Sequence, residues 1–317
     1  LFEAGRSYFG RSNYVEYIAG DMPVIISAPH GGSLQPKEIP DRIRKDSDDD
    51  FATVTDTFTT ELAVTLSETF KSYYGHSPHV VICHLKRTKV DCNRELEEAA
   101  GSNVSAGIAW RDFHRFLSVA SNSVVASSGR GCYVDLHGQS HPIKRVELGY
   151  SLTGAQLEQP DTTLNQPRHS AKSSLRTLAS SELPTPFSEL LRGSNSIGGL
   201  LAARGFPAVP SPSMPHPGFR ERTNGHSSAM NPYFNGGYNL RKYTSLHSHG
   251  PIDGLQLEAN FTGVRDTAAN RVRFAQALAE SFDSFFKLYY RVDLRRHDGD
   301  ASAQSVPAAT STKDAHK

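Results

Sequence analysis

Short apolar runs rich in β-branched residues recur along the chain at 23–28 (PVIISA), 79–85 (HVVICHL), 132–136 (CYVDL), 146–152 (VELGYSL) and 254–261 (GLQLEANF). Their length and composition predict strands. Between them the apolar positions fall at helical spacing. Over 56–74, Phe58, Leu62, Leu66, Phe70 and Tyr73 share one face and Gly75 closes it; over 108–126, Trp110, Phe113, Leu117, Ala120 and Val124 do the same. A last helix is expected over 266–290, with Asp266 as its N-cap and Val272, Ala275, Leu278, Phe282, Phe285 and Tyr289 turned inward. Alternating strands and helices predict an α/β fold: a mainly parallel mixed sheet flanked by helices on both faces.

Two stretches interrupt this rhythm. Residues 153–195 are rich in Ser, Thr, Leu and Pro, and 206–250 are rich in Gly, Pro, Asn and His. The second is too long for an ordinary connection, and long loops in compact domains commonly carry function. From 296 onward large apolar residues almost vanish, so 296–317 is expected to be a disordered tail behind a single domain, 1–295, with loop insertions near 153–250.

Composition narrows the function classes. The chain has 317 residues, 37% of them hydrophobic and 21% charged, enough for one large core, and its formal charge of +1 provides no field to draw it to nucleic acid or to a membrane surface. No stretch approaches the roughly 20 apolar residues of a membrane span. Three cysteines allow at most one internal disulfide, Cys83 with Cys92 or Cys83 with Cys132. The tripeptides NVS at 103–105 and NFT at 260–262, in a chain that starts without Met, lead us to expect a secreted glycoprotein whose leader has been removed, with a cytoplasmic protein as the alternative. The absence of a GxSxG elbow and of a GxxxxGK[ST] loop argues against serine-hydrolase and nucleotide chemistry.

Candidate chemistry gathers where the predicted strands end, which is where open α/β sheets bind ligands. PVIISAP ends in His30 and two glycines, CYVDL ends in His137, and GLQLEANF carries Glu258 between apolar neighbours. Two histidines with a nearby carboxylate can form a catalytic zinc site, which takes three protein ligands and leaves a place for water; Glu258 is then the candidate general base. Singly, each has a plainer reading: a hydrogen-bonded histidine, or a glutamate facing solvent. Asp135, two residues before His137 and on the same side of its strand, can orient that imidazole or pair with a basic residue. In KRTKVDCNRE (86–95), Arg94 can hold a carboxylate bidentately while Asn93 contacts a carbonyl; the plainer reading is a charged surface turn.

SAPHGG, DTFTTEL (56–62), KRTKVDCNRE, YVDLHG, and NPYFNGGYNLRKY leading into GLQLEANF resemble, in that order, the motifs of the N-formylglutamate amidohydrolase family. That family belongs to the zinc carboxypeptidase-like and aspartoacylase-like group, with which DCNR (91–94) also agrees. The resemblance runs from about 23 to 265. It implies a zinc carboxypeptidase-like fold and a Zn2+-dependent hydrolase of an amide bond next to a carboxylate. His30 and His137 match the histidine ligands, Glu258 the catalytic glutamate, and Asn93 with Arg94 the substrate-binding pair. In the carboxypeptidase pattern a carboxylate stands three residues after the first histidine. Here Ser33 occupies that place, and the resemblance implies Asp56, in the segment that aligns with an aspartate of the formylglutamate family, as the candidate third ligand, with Glu38, Asp41 and the run Asp48 to Asp50 behind it.

These expectations combine into one mechanism: metal-activated water, Glu258 taking its proton, Arg94 anchoring the substrate carboxylate, and Arg87 steadying the oxyanion. The partner is a small molecule or peptide with a free carboxylate. Two rivals stand beside it, a carboxypeptidase-type metallopeptidase and a non-catalytic secreted binding protein on a degenerate hydrolase scaffold, the latter suggested by Ser33. His247 and His249 in HSHG offer a separate metal site.

Overall fold

The structure is a computed structural model that describes residues 2–44, 51–181, 185–220, 229–248 and 250–295. Asp48 to Asp50, His249 and the expected tail from 296 lie outside the described residues.

Eight strands form one sheet: β1 (Ser7–Phe9), β2 (Val15–Ile18), β3 (Val24–Ala28), β4 (His79–Cys83), β5 (Gly131–Gln139), β6 (Val146–Gly149), β7 (Ala208–Val209) and β8 (Ile252–Asn260). Their spatial order is β1-β2-β4-β3-β5-β8-β6-β7. The four central strands, β4, β3, β5 and β8, run parallel, whereas β1 and β2 at one edge and β6 at the other pair antiparallel. The chain is thus a mixed α/β sheet flanked by helices.

Three long helices cover the sheet. Helix α1 (Thr59–Tyr74) connects β3 to β4, α2 (Val104–Ser128) connects β4 to β5, and α3 (Ala268–Phe285) follows β8. Because side chains alternate along a strand, Val24, Ile26 and Ala28 of β3 pack with Leu62, Leu66 and Phe70 of α1 and with Phe274, Leu278 and Phe282 of α3. Ile25 points the other way, into a second cluster with Phe113, Leu117, Ala120 and Val124 of α2. A strand buried on both faces has no solvent side to mark with polar residues, which is why these runs are continuously apolar.

The boundaries depart from the sequence pattern in identifiable places. Helix α1 begins at Thr59 instead of 56, because Phe58 adopts a left-handed backbone (φ 67°) and Asp56 turns its N–H back to the carbonyl of His30 at 3.0 Å. Helix α3 takes Thr267, not Asp266, as N-cap: the Thr267 hydroxyl accepts from the Asn270 N–H at 3.1 Å. Val272, expected inside, is 55% exposed. The stretch after 153 folds as short helices, Gly154–Leu157, Asp161–Leu164, Pro167–Ser170, Arg176–Ala179, Phe187–Arg192 and Ile197–Ala203, whose leucines 157, 164, 178, 190, 191 and 201 are buried. Neither expected disulfide forms: Cys83, Cys92 and Cys132 are all free and buried. Asn260, in the NFT tripeptide, is buried and donates its Nδ2 to the carbonyl of Thr262 at 2.6 Å, which leaves no room for a glycan. No helix among the described residues is long and apolar enough to cross a membrane.

Candidate metal centre

The strand order reverses between β3 and β5: β3 leads through α1 to β4 on one side, and β4 leads back through α2 to β5 on the other. A crevice opens outside the carboxyl ends of two such strands. His30 leaves β3 at this point, and His137 sits near the end of β5.

His137 and Glu258 are register partners on the parallel pair β5 and β8, so their side chains project from the same face of adjacent strands. Asp135 and Gln256, two residues earlier on each strand, are also register partners on that face. Asp56 arrives from the segment before α1. Its Oδ2 accepts the backbone N–H of Gly138 at 3.0 Å, which fixes it beside His137. The glycines after His30 serve packing: a Cβ on Gly31 would stand 2.5 Å from the Thr59 Oγ1 and the Thr60 nitrogen, and one on Gly32 would stand 2.2 Å from the His84 carbonyl carbon. They let the chain cross between the start of α1 and the end of β4.

His30 Nδ1, His137 Nδ1 and Asp56 Oδ2 face one another, 3.1 Å apart for the two nitrogens and 3.6 and 3.2 Å from each nitrogen to the oxygen. The three residues are buried and form the group able to hold a metal ion among the described residues. Three ligand atoms at 2.0–2.1 Å in tetrahedral geometry stand about 3.3 Å apart, so the observed triangle fits zinc without adjustment. The far sides of both rings are bound to carboxylates: His30 Nε2 to Asp91 Oδ1 at 2.6 Å, and His137 Nε2 to Asp135 Oδ2 at 3.0 Å. A carboxylate there demands the N–H and leaves the Nδ1 lone pair facing inward, the arrangement that orients metal-binding imidazoles. Of the two roles open to Asp135, it has taken the orienting one. Ser27, Tyr133 and Asn239 donate to its Oδ1 at 2.6, 3.2 and 3.4 Å.

Asp91 is the best-held acid of the site. It accepts from Arg87 Nε at 2.9 Å and from the Asn93 N–H at 2.9 Å, and Arg42 lies 3.6 Å away. Burial opposes its ionisation, but His30, Arg87 and Arg42 hold its carboxyl well below the usual range. Burial likewise opposes the charge on Asp56, and the neighbouring His137 and His30 hold its carboxyl below the usual range. Burial disfavours a proton on His137, yet Asp135, Asp56 and Glu258 raise its affinity for one well above normal. Glu258 is pushed up to about 8 by burial, with the charge of Asp56 adding to the shift against that of His137. Four buried acids, Asp56, Asp91, Asp135 and Glu258, thus surround the two imidazoles, with Arg42, Arg87 and Arg265 as nearby cations. A cation in the triangle supplies the positive charge that a proton on His137 otherwise provides.

Glu258 Oε1 accepts from Gln256 Nε2 at 2.8 Å. Asn93 lies behind His137, its Nδ2 3.3 Å from His137 Nε2 and its Oδ1 accepting the Asn239 N–H at 2.8 Å. Arg94 is half-buried and donates to the carbonyl of Asn93 at 3.0 Å. Ser33 is exposed and outside the cluster, Glu38 bonds Tyr14, and Asp41 pairs with Lys89 at 2.9 Å, so none of these completes the triangle. His247 is exposed. A surface cleft of about 1080 Å3, lined in part by Arg42, Lys89, Glu95, Glu98 and Asn103, contains none of the cluster residues.

Asp91, Asn239, Gln256, Glu147 and Arg265 escaped the sequence reading. Asp91 had a signal, as the first residue of DCNR; Gln256 had one as the same-face neighbour of Glu258. Glu147, opposite Glu258 on β6 and fully buried, accepts from His141 Nδ1 and from the Phe234 N–H, each at 3.0 Å. Nothing in the spacing of Asn239, Glu147 or Arg265 marked them. Two buried oxygens beside the cluster, Gln256 Oε1 and Asn239 Oδ1, have no hydrogen-bond partner among the described residues.

Fold and site together define a mixed α/β protein with a buried His/His/Asp cluster of metal-binding composition. Neither a protein-family model nor a curated protein matches the chain. Among solved structures it is loosely similar to a group of amidohydrolase- and metallopeptidase-like folds. The N-formylglutamate amidohydrolase from Ralstonia eutropha JMP134 aligns over 90% of this chain and 97% of that one, at 12% identity and a TM-score of 0.49. A gene product of Agrobacterium tumefaciens aligns over 86% and 95%, at 11% identity and a TM-score of 0.47. A metallo-carboxypeptidase from Pseudomonas aeruginosa aligns over 90% and 64%, at 10% identity and a TM-score of 0.40. The functional reading rests on the site itself.

Proposed function

We propose that the chain is a zinc-dependent hydrolase that cleaves an amide bond adjacent to a carboxylate, an amidohydrolase of N-acyl or N-formyl amino acids. The observation that carries this reading is the triangle of His30 Nδ1, His137 Nδ1 and Asp56 Oδ2, with edges of 3.1 to 3.6 Å and Glu258 in register beside it. Zinc, when bound, acts as a Lewis acid on a carbonyl and brings a water near neutral pKa. Glu258 accepts the proton of the attacking water and passes it to the leaving amine. Burial raises its proton affinity, and a cation in the triangle would oppose that rise and favour the carboxylate that a base must be. Arg94 receives the substrate carboxylate and, with Asn93 on a carbonyl, holds the scissile bond at a fixed place. Arg87, whose Nε is taken by Asp91, offers its remaining N–H groups to the oxyanion.

The test has two parts. Metal-replete protein is assayed against N-formyl and N-acyl amino acids and against short peptides. Turnover of the acylated amino acids above the peptides is the expected result; the reverse preference assigns a carboxypeptidase, and less than one bound ion per chain assigns the degenerate scaffold. Glu258→Gln keeps the metal and loses turnover; retained activity removes Glu258 from the mechanism.

A further inference from the structure

Arg265 is 2% exposed, an unusual place for a guanidinium, and no carboxylate stands within ion-pair distance of it among the described residues. Its hydrogen bonds go to three main-chain carbonyls. Nε donates to Ala259 at 2.9 Å, Nη2 donates to Gln139 at 3.0 Å, and Nη1 donates to Thr57. These three carbonyls belong to three of the four segments that carry the site, the segment of His30 being the fourth. Thr57 follows Asp56, Ala259 follows Glu258, and Gln139 is two residues beyond His137. The guanidinium also packs on Gly138, where a Cβ would stand 2.5 Å from its Cζ, and the Gly138 N–H is the one that holds Asp56 Oδ2.

The three segments reach this point from separate parts of the chain, and no strand pairing joins the Asp56 segment to the others. A guanidinium is a rigid planar fork of five donors, so three acceptors bound to it are fixed relative to one another. A lysine in its place is a flexible point charge and fixes no such arrangement.

We infer that Arg265 is a positioning residue, which locks the general base Glu258 against the ligand pair His137 and Asp56 by bridging the carbonyls of Ala259, Gln139 and Thr57. The inference rests on the metal-dependent reading above. It predicts that losing the fork loosens the triangle while the apolar core, built from other residues, stays intact.

The experiment compares the full-length chain with Arg265→Lys and Arg265→Ala, reading Co2+ affinity by competition with a chelator and the visible spectrum of the bound Co2+. Cooperative thermal melting of the metal-free proteins serves as the control for folding. Arg265→Lys is expected to melt cooperatively, to bind Co2+ about tenfold or more weaker and to show an altered spectrum, as loss of an outer partner does at metal sites. Arg265→Ala is expected to do the same and to recover affinity with added methylguanidinium. Wild-type affinity and spectrum in Arg265→Lys overturn the assignment of Arg265 alone. Failure of both variants to fold also overturns it, by giving Arg265 to the fold at large. A wild-type chain that binds no Co2+ overturns the metal-dependent reading and this inference with it.

Discussion

Replacing Asp91 by Asn tests the electrostatics of the site most sharply. The carboxylate is fully buried and meets His30 Nε2 at 2.6 Å, Arg87 Nε at 2.9 Å and Arg42 Nη1 at 3.6 Å. The amide keeps the volume but removes the charge, and one of its two ends is a donor that cannot accept from either His30 or Arg87. Two consequences separate in measurement. First, His30 loses the partner that fixes its tautomer, for which outer partners of metal-binding histidines set the scale: about 10- to 100-fold in metal affinity, or roughly 1.4 to 2.7 kcal/mol. Second, Arg87 and Arg42 are left facing a buried neutral group, and breaking a buried ion pair by removing one partner costs about 3 to 5 kcal/mol. The assay is zinc affinity by chelator competition together with urea unfolding of the metal-free protein. Both losses are expected in Asp91→Asn. Unchanged zinc affinity would refute the role of Asp91 behind His30, whatever the stability.

Three further outcomes follow from other parts of the molecule. Asp253, on β8 away from the cluster, has its carboxyl pushed up to about 7 by burial, against hydrogen bonds from Ser245 and Thr177. Its proton therefore stabilises the fold fully below about pH 4, and that contribution, up to about 4 kcal/mol, is lost as pH rises through 7; the difference in unfolding free energy between wild type and Asp253→Asn should show this slope, and parallel curves would contradict it. Gly32→Ala places a Cβ 2.2 Å from the His84 carbonyl carbon and should cost more than about 2 kcal/mol, whereas Gly75→Ala, with nothing within 4 Å but φ at +82°, should cost only about 1 kcal/mol; equal melting shifts would refute the packing argument. Thiol titration without reductant should find three reactive groups after denaturation and none before, because all three cysteines are free and buried; fewer than three in the denatured chain would reveal a disulfide.

The central strands were legible because burial on both faces leaves continuous apolar runs, and the reactive residues were legible because they sit where those runs stop. His30, His137 and Glu258 all lie at strand ends. What escaped has a physical reason in each case. The hairpin of β1 and β2 is three and four residues long at a sheet edge, too short for alternation to register. The helices between Gly154 and Ala179 are four residues each, barely one turn, so no 3.6-residue period can be read from them, although their leucines are buried. Arg265 and Asn239 act by joining segments distant in sequence, Arg265 to Thr57 and Asn239 to Asn93, and only the closed fold makes those pairs visible.

Anomalous diffraction at the zinc absorption edge from crystals of the zinc-loaded protein tests most directly for an ion in the triangle. One peak bonded to His30 Nδ1, His137 Nδ1 and Asp56 Oδ2, with Asp91 and Asp135 still on the two Nε2 atoms, is the predicted result. A peak elsewhere, or an ion held by Nε2 or by a carboxylate other than Asp56, would contradict it.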